Sequence, residues 1–185
     1  MKLLTDYIKI KPALSKKLCK ELLKELKQSK WREHDFLHYS GKRDFETQKN
    51  PCQTFGGQLP HSQELMDVVY KVIHNYIETI HSPYYDGWNG YTNTKFNKYQ
   101  VGSLMEKHWD NIHSIFDGDI KGIPTLSVIG GLNNNFQGGE IEMFENTKIK
   151  LKAGEVLIFP SNFLYPHKVC PVTKGTRYSF VNWVY

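Results

Sequence analysis

Residues 156–184 read VLIFPSNFLYPHKVCPVTKGTRYSFVNWV. Three short runs rich in β-branched and aromatic residues, 156–159, 167–170 and 177–184, are separated by Pro160-Ser161 and Lys174-Gly175. This is the texture of short strands joined by tight turns. The same texture continues upstream at 94–101, 125–129 and 140–144, with breaks at Gly138-Gly139 and Ala153-Gly154. Six short strands in about ninety residues predict an antiparallel sandwich or jelly roll rather than a doubly wound sheet.

The front half carries a different period. Leu14, Leu18, Leu22 and Leu26 recur every fourth residue among lysines and glutamates, which predicts an amphipathic helix with Ser15 as its N-cap. A second helix is expected from about Ser62 to Ile80, with Ser62 as cap and Leu65, Val69, Ile73, Tyr76, Ile77 and Ile80 on its buried face. Residues 31–60 and 81–93 suit loops or short strands. The expected architecture is mainly β with flanking helices (α+β), the helices covering one outer face. No linker marks a boundary, so the expectation is a single domain over 1–185, with 1–93 as helical support and substrate loops and 94–185 as the jelly-roll core.

Composition narrows the function classes. The chain of 185 residues is 39% hydrophobic and 14% aromatic, enough for a packed core, so wholesale disorder is excluded. No apolar run approaches the ~20 residues that cross a bilayer. No secretory signal is legible at the N-terminus. The three cysteines, Cys19, Cys52 and Cys170, are too few and too widely spaced for a disulfide framework or a cysteine-type zinc site. The expectation is a soluble, intracellular, cytoplasmic protein. The net charge of +5 is spread out, with much of the excess in the first fifty residues; it reads as a solvated basic face, with nucleic-acid or anionic-substrate binding as the less favoured alternative.

The chemistry lies in His108-Trp109-Asp110 and the distant His167. In extended backbone, residues two apart project to the same side, so His108 and Asp110 can reach one ion with Trp109 turned away. His167 opens a later strand that could lie opposite them. Two imidazoles and a carboxylate on one face of an ion form the facial triad of non-haem Fe(II) oxygenases, which leaves coordination positions open. His113 could compete, but Gly118 and Gly122 suggest that the segment is by then a loop.

Arg177 follows His167 by ten residues, within Gly175-Thr176-Arg177-Tyr178-Ser179. If 167–170 and 177–184 were neighbouring strands, Arg177 would sit near the metal, where a guanidinium fork suits a carboxylate. Ser179 shares its face and adds a hydroxyl.

These residues carry a family resemblance. Tyr99, Gly102, His108-x-Asp110, Leu132-Asn133, Gly138-Gly139-Glu140, Gly154, Phe159-Pro160-Ser161, His167, Pro171-Val172-Thr173, Gly175-x-Arg177-Tyr178 and Trp183 resemble, in order and spacing, the Fe(II)- and 2-oxoglutarate-dependent dioxygenases of the prolyl 4-hydroxylase type. The resemblance covers about 94–185. It implies a double-stranded β-helix core, His108, Asp110 and His167 on Fe(II), and Arg177 on the distal carboxylate of 2-oxoglutarate. It implies further that Tyr99 and Ser179 contact the co-substrate and that Trp183 walls the pocket. O₂ is the oxidant, succinate and CO₂ are the by-products, and ascorbate is a frequent helper in such enzymes. Met105 and Gly131 stand where relatives often carry aromatics, so the pocket is expected to differ in shape.

The expected activity is hydroxylation of a prolyl residue in a peptide or protein. Hydroxylation of a free amino acid or other small molecule is the runner-up. A zinc hydrolase could use the same three ligands but would not need Arg177, and a non-enzymatic jelly-roll binding module would need neither. A nucleic-acid dealkylase of the same class would carry a second arginine six residues after the first, where this chain has Trp183. Residues 31–60, 81–93 and 111–124 are the expected substrate loops, the aromatic segment Tyr84-Tyr85-Asp86-Gly87-Trp88 among them. No membrane partner is expected, and oligomeric state is not legible.

Overall fold

The computed structural model describes residues 2–34, 36–37, 43–44, 50–83, 85, 87–111 and 123–185. His113, Gly118, Gly122, Tyr84 and Asp86 lie outside the described residues, as do parts of the loops 31–60 and 111–124. In chain order the strands are β1 (Lys9–Pro12), β2 (Arg32–Glu33), β3 (Phe36–Leu37), β4 (Arg43–Asp44), β5 (Gln53–Phe55), β6 (Lys95–Tyr99) and β7 (Met105–His108). Then come β8 (Leu126–Gly131), β9 (Phe136–Gly138), β10 (Ile141–Met143), β11 (Thr147–Ile149), β12 (Glu155–Pro160), β13 (His167–Val169), β14 (Val172–Gly175) and β15 (Arg177–Val184). The α-helices are α1 (Lys16–Leu26) and α2 (Ser62–Ile80).

Two antiparallel sheets organise the molecule. The major sheet has the order β1-β12-β8-β15-β6-β5-β2, and the minor sheet β11-β10-β13-β7. All six strands expected from sequence form, and the fold is the double-stranded β-helix. Strand alternation divides the major sheet's residues cleanly. Phe96, Val128, Val156, Ile158, Phe180 and Val184 pack outward against both helices, while Tyr99, Leu157 and Phe159 join Met105, Ile141, Met143 and Val169 between the sheets. This is the period-two consequence of a sheet buried on both faces.

The helices sit where the apolar stripes predict. Ser15 Oγ accepts from the Leu18 amide at 3.0 Å, and Leu18, Leu22 and Leu26 are buried. On α2 the cap differs from expectation. His61 occupies the N-cap position, while Ser62 Oγ accepts instead from the Leu59 amide at 2.7 Å, so the hydroxyl closes the preceding turn. His61 Nδ1 and Glu25 Oε1 meet at 2.5 Å and tie α2 to α1.

Two further differences bear on the site. β13 and β15 are not neighbours: β13 pairs with β10 and β7 in the minor sheet, β15 with β6 and β8 in the major. The link Pro171–Thr176 itself forms β14 against β9 and carries the chain from one sheet to the other. And the major sheet takes three strands, β1, β2 and β5, from before residue 94. Among the described residues, no helix is long and apolar enough to cross a membrane.

Candidate metal centre and anion pocket

His108 ends β7 and is the direct cross-strand partner of His167 at the start of β13. Pairing in register puts both side chains on one face, and their rings stand 4.4 Å apart, centroid to centroid. Asp110 follows two residues after His108, with Trp109 between them 45% exposed and directed away. His108 Nε2 lies 3.4 Å from Asp110 Oδ1, and His167 Nε2 3.8 Å from Oδ2. One ligand atom from each residue falls within 4.8 Å of the other two. The three therefore converge as the same-side spacing predicts.

Neighbouring groups orient each ligand. The Glu106 carbonyl lies 2.7 Å from His108 Nδ1 and the Tyr165 carbonyl 3.2 Å from His167 Nδ1. A proton on each Nδ1 satisfies those carbonyls and leaves each Nε2 lone pair facing the centre, the usual arrangement of metal-ligating histidines. Ser127 Oγ donates to Asp110 Oδ2 at 2.6 Å and meets Ser161 Oγ at 2.7 Å. Phe159 packs edge-on against His167, 5.1 Å between ring centroids.

Electrostatics agree with ligation by ionised Asp110 and neutral His167. Burial opposes charge on Asp110, but His167 and His108 outweigh it and hold its pKa below the ordinary carboxylate value. Burial and the His108 charge push His167 down to about 4. At His108 burial also disfavours the charged form, but the hydrogen bond and charge of Asp110 prevail and raise the pKa.

A second polar constellation lines the inner face of the major sheet. Arg177 is 3% exposed and is the register partner of Tyr99. Its Cζ lies 4.9 Å from the centre of the Tyr99 ring, and Nη1 donates to Ser179 Oγ at 2.8 Å. Among the described residues it makes no ion pair. A buried guanidinium without a counter-charge is expensive, so its surroundings suit an anion, above all a planar carboxylate. Burial lowers the Arg177 pKa and raises that of Tyr99 well above the usual phenol value, so Tyr99 keeps its proton as a donor. Gly139 makes room for the arginine: at φ +66° it adopts a conformation that favours glycine, and a Cβ there would stand 2.9 Å from Arg177 Cδ.

The fold thus brings together His108, Asp110 and His167 in one cluster and Arg177, Tyr99 and Ser179 in another. Trp183 lies on the same inner face as Arg177 and Ser179, beside Ser127 in register, with Lys95 Nζ 5.3 Å above its ring. Gly131 has a backbone reason: a Cβ there would meet the Lys152 carbonyl oxygen at 2.7 Å, which excludes the aromatic that relatives often carry. Met105 is buried between the sheets. Ser127 was not singled out from sequence. Its signal was a lone hydroxyl inside the apolar run 126–131, two strand positions from any turn.

Residues 94–185 match the family model described as the 2OG-Fe(II) oxygenase superfamily. The chain belongs to that superfamily. A curated relative, a PKHD-type hydroxylase of Shewanella oneidensis, is 36% identical over 93 residues, 48% of this chain and 41% of the relative. The chain therefore spans about two fifths of that relative's length. Solved structures share the double-stranded β-helix along almost the whole chain. A Pseudomonas putida prolyl-4-hydroxylase superposes with TM-score 0.70 at 18% identity, covering 97% of this chain and 92% of that one. A Trichoplax adhaerens prolyl hydroxylase in complex with a hypoxia inducible factor oxygen degradation domain peptide fragment superposes with TM-score 0.72 at 19% identity, covering 98% and 84%. The 2OG-Fe(II) oxygenases are named for Fe(II) and 2-oxoglutarate, and the two constellations fit those groups. The donor set of two neutral imidazole nitrogens and one carboxylate fits the iron site. Arg177, with no ion pair among the described residues, presents a fork that suits a carboxylate.

Proposed function

We propose that the protein is an Fe(II)- and 2-oxoglutarate-dependent hydroxylase whose substrate is a prolyl residue in a peptide or protein. The observation that carries the oxygenase reading is the pairing of a His108–Asp110–His167 cluster with a buried Arg177 that has no ion pair among the described residues, in one jelly roll. A zinc hydrolase accounts for the first and leaves the second without a purpose.

In this reading His108, Asp110 and His167 would hold Fe(II). The bound metal supplies the chemistry: 2-oxoglutarate and O₂ give succinate and CO₂, and one oxygen atom enters a substrate C–H bond. The chain's own residues position and exclude. Arg177 binds the distal carboxylate through its fork, Tyr99 and Ser179 hold the guanidinium and offer hydroxyls, and Ser127 fixes the rotamer of Asp110. Phe159, Leu157 and Met105 keep water away from the reacting centre.

Support for a peptidyl substrate comes from the prolyl hydroxylases among the structural neighbours, one of them bound to a peptide. The runner-up is a free amino acid or other small molecule. Incubation with Fe(II), 2-oxoglutarate and ascorbate against a panel of peptides with and without proline tests the proposal. The expected result is succinate formation with a gain of one oxygen on proline. Oxygen gain on free amino acids alone would reject the peptidyl reading and keep the oxygenase one, and absence of any 2-oxoglutarate turnover would reject both.

A further inference from the structure

On the side of the molecule built by α1, far in function from the iron cluster, lies a groove of about 460 Å³. Its floor is apolar: Leu132 is buried, and Leu23 and Ala153 are half-buried beside Cys19. Its wall is four exposed lysines, Lys16, Lys20 and Lys24 from α1 and Lys27 at its C-cap. At 100° per residue these four fall within an arc of about 80°. Glu21 and Glu25 fall on the far side of that arc from the groove, and Glu25 is engaged with His61. The helix therefore segregates its charges, and among the described residues no acidic side chain lines the groove. Among the described residues none of the four lysines has an ion-pair partner.

We propose that this groove docks an acidic, amphipathic helical segment of a partner protein. The geometry matches in two respects. Lys16, Lys20 and Lys24 step along the helix by about 6 Å, the rise of four helical residues. Carboxylates spaced i, i+4 on a partner helix repeat at the same interval and meet one lysine each. Between the carboxylates, a leucine-sized side chain enters the apolar floor over Leu23, Leu132 and Ala153. An apolar floor walled by lysines suits an inserted side chain, where a flat lysine face would suit a bilayer. The charge supplies orientation and association rate, and the apolar floor supplies the contact that salt does not screen.

The test is fluorescence anisotropy of the whole chain against a synthetic acidic amphipathic peptide of about 18 residues, long enough to hold a helix in water. Controls are the same peptide with lysine replacing glutamate and a scrambled peptide of equal charge. The expected result is saturable binding of the acidic amphipathic peptide alone, weakened at least about tenfold by Lys20→Glu with Lys24→Glu. Leu23→Asp should weaken it similarly, and Ala153→Glu, at a half-buried turn position, gives the same readout should the leucine variant fold poorly. Equal binding of the scrambled peptide would overturn the proposal, reducing it to bulk electrostatics. So would binding that survives the double charge reversal, or preferential capture by phosphatidylserine vesicles over the peptide.

Discussion

Ser127 donates a hydrogen bond of 2.6 Å to Asp110 Oδ2, from a major-sheet strand to the segment that follows a minor-sheet strand. The contact holds the carboxylate so that Oδ1 faces His108 and Oδ2 faces His167. Ser161, arriving from the end of β12, closes the same small network by its 2.7 Å contact with Ser127. Both serines are at most 1% exposed, so water does not substitute for either partner.

Replacement of Ser127 by alanine should therefore weaken Fe(II) binding while leaving the three ligands in place. Groups that orient metal ligands typically contribute about 10–100-fold in affinity. Anaerobic titration of Fe(II), or of Mn(II) as a stable stand-in, reads the effect. An unchanged affinity would show that packing alone holds Asp110.

His108→Ala and His167→Ala each remove one imidazole from the cluster, and both should abolish tight metal binding. The same loss should follow treatment of the wild-type protein with a chelator, reversed by adding Fe(II). Retention of full metal affinity in His167→Ala would reject the proposed ligand set.

Arg177→Ala should raise the 2-oxoglutarate requirement steeply and spare metal binding. Truncating one partner of a buried charge pair costs about 2–5 kcal/mol, roughly thirty- to several-thousand-fold. Arg177→Lys should recover little of this, because an ammonium cannot reproduce the fork held between Tyr99 and Ser179. Apparent KM for 2-oxoglutarate, measured beside metal affinity, separates the two sites.

Gly139→Ala puts a Cβ 2.9 Å from Arg177 Cδ at a backbone φ of +66°. Strain at such a position costs about 1–3 kcal/mol. Thermal melting should fall, and the 2-oxoglutarate KM should rise because Arg177 must move. A lowered melting point with an unchanged KM would mean that the backbone strain, rather than the arginine, dominates.

Thiol chemistry offers a check on the core. Burial pushes Cys52 up to about 11 and raises Cys19 as well, so at pH 8 both are protonated and shielded. Cys170 is half-buried, with a thiol also raised by partial burial. Iodoacetamide should label Cys170 first and reach the other two only on unfolding, as mass spectrometry of the modified peptides would show. Rapid native labelling of Cys52 would contradict its place beneath Tyr99.

Much of this protein was legible from its residues alone because the deciding signals are local. The four-residue leucine period of α1 and its Ser15 cap need no tertiary information, nor do the strand runs and their glycine breaks. His108 and Asp110 share a side because extended backbone alternates, which is geometry internal to three residues. Arg177 and Ser179 follow from their spacing after His167 and from sharing one strand face, and the family resemblance adds Tyr99 to them.

What required the tertiary structure is every relation set by strand pairing. Nothing in 167–184 says that the chain changes sheets between His167 and Arg177, because β14 reads from sequence as a turn. The partner of His167 is His108 and that of Arg177 is Tyr99, by registers that depend on how two sheets close on one another. Lys9-Ile10-Lys11-Pro12 alternates over too few residues to stand out and carries no apolar run, yet it forms an edge strand against β12. Lysine and proline are what an exposed edge tolerates, so the residues that suit the position also hide it. Ser127 became meaningful only when the fold set it against Asp110. Hydrophobic periodicity determines which elements form and which face each buries. Cross-strand register determines which polar side chains meet, and that is a property of the closed sheet rather than of any one strand.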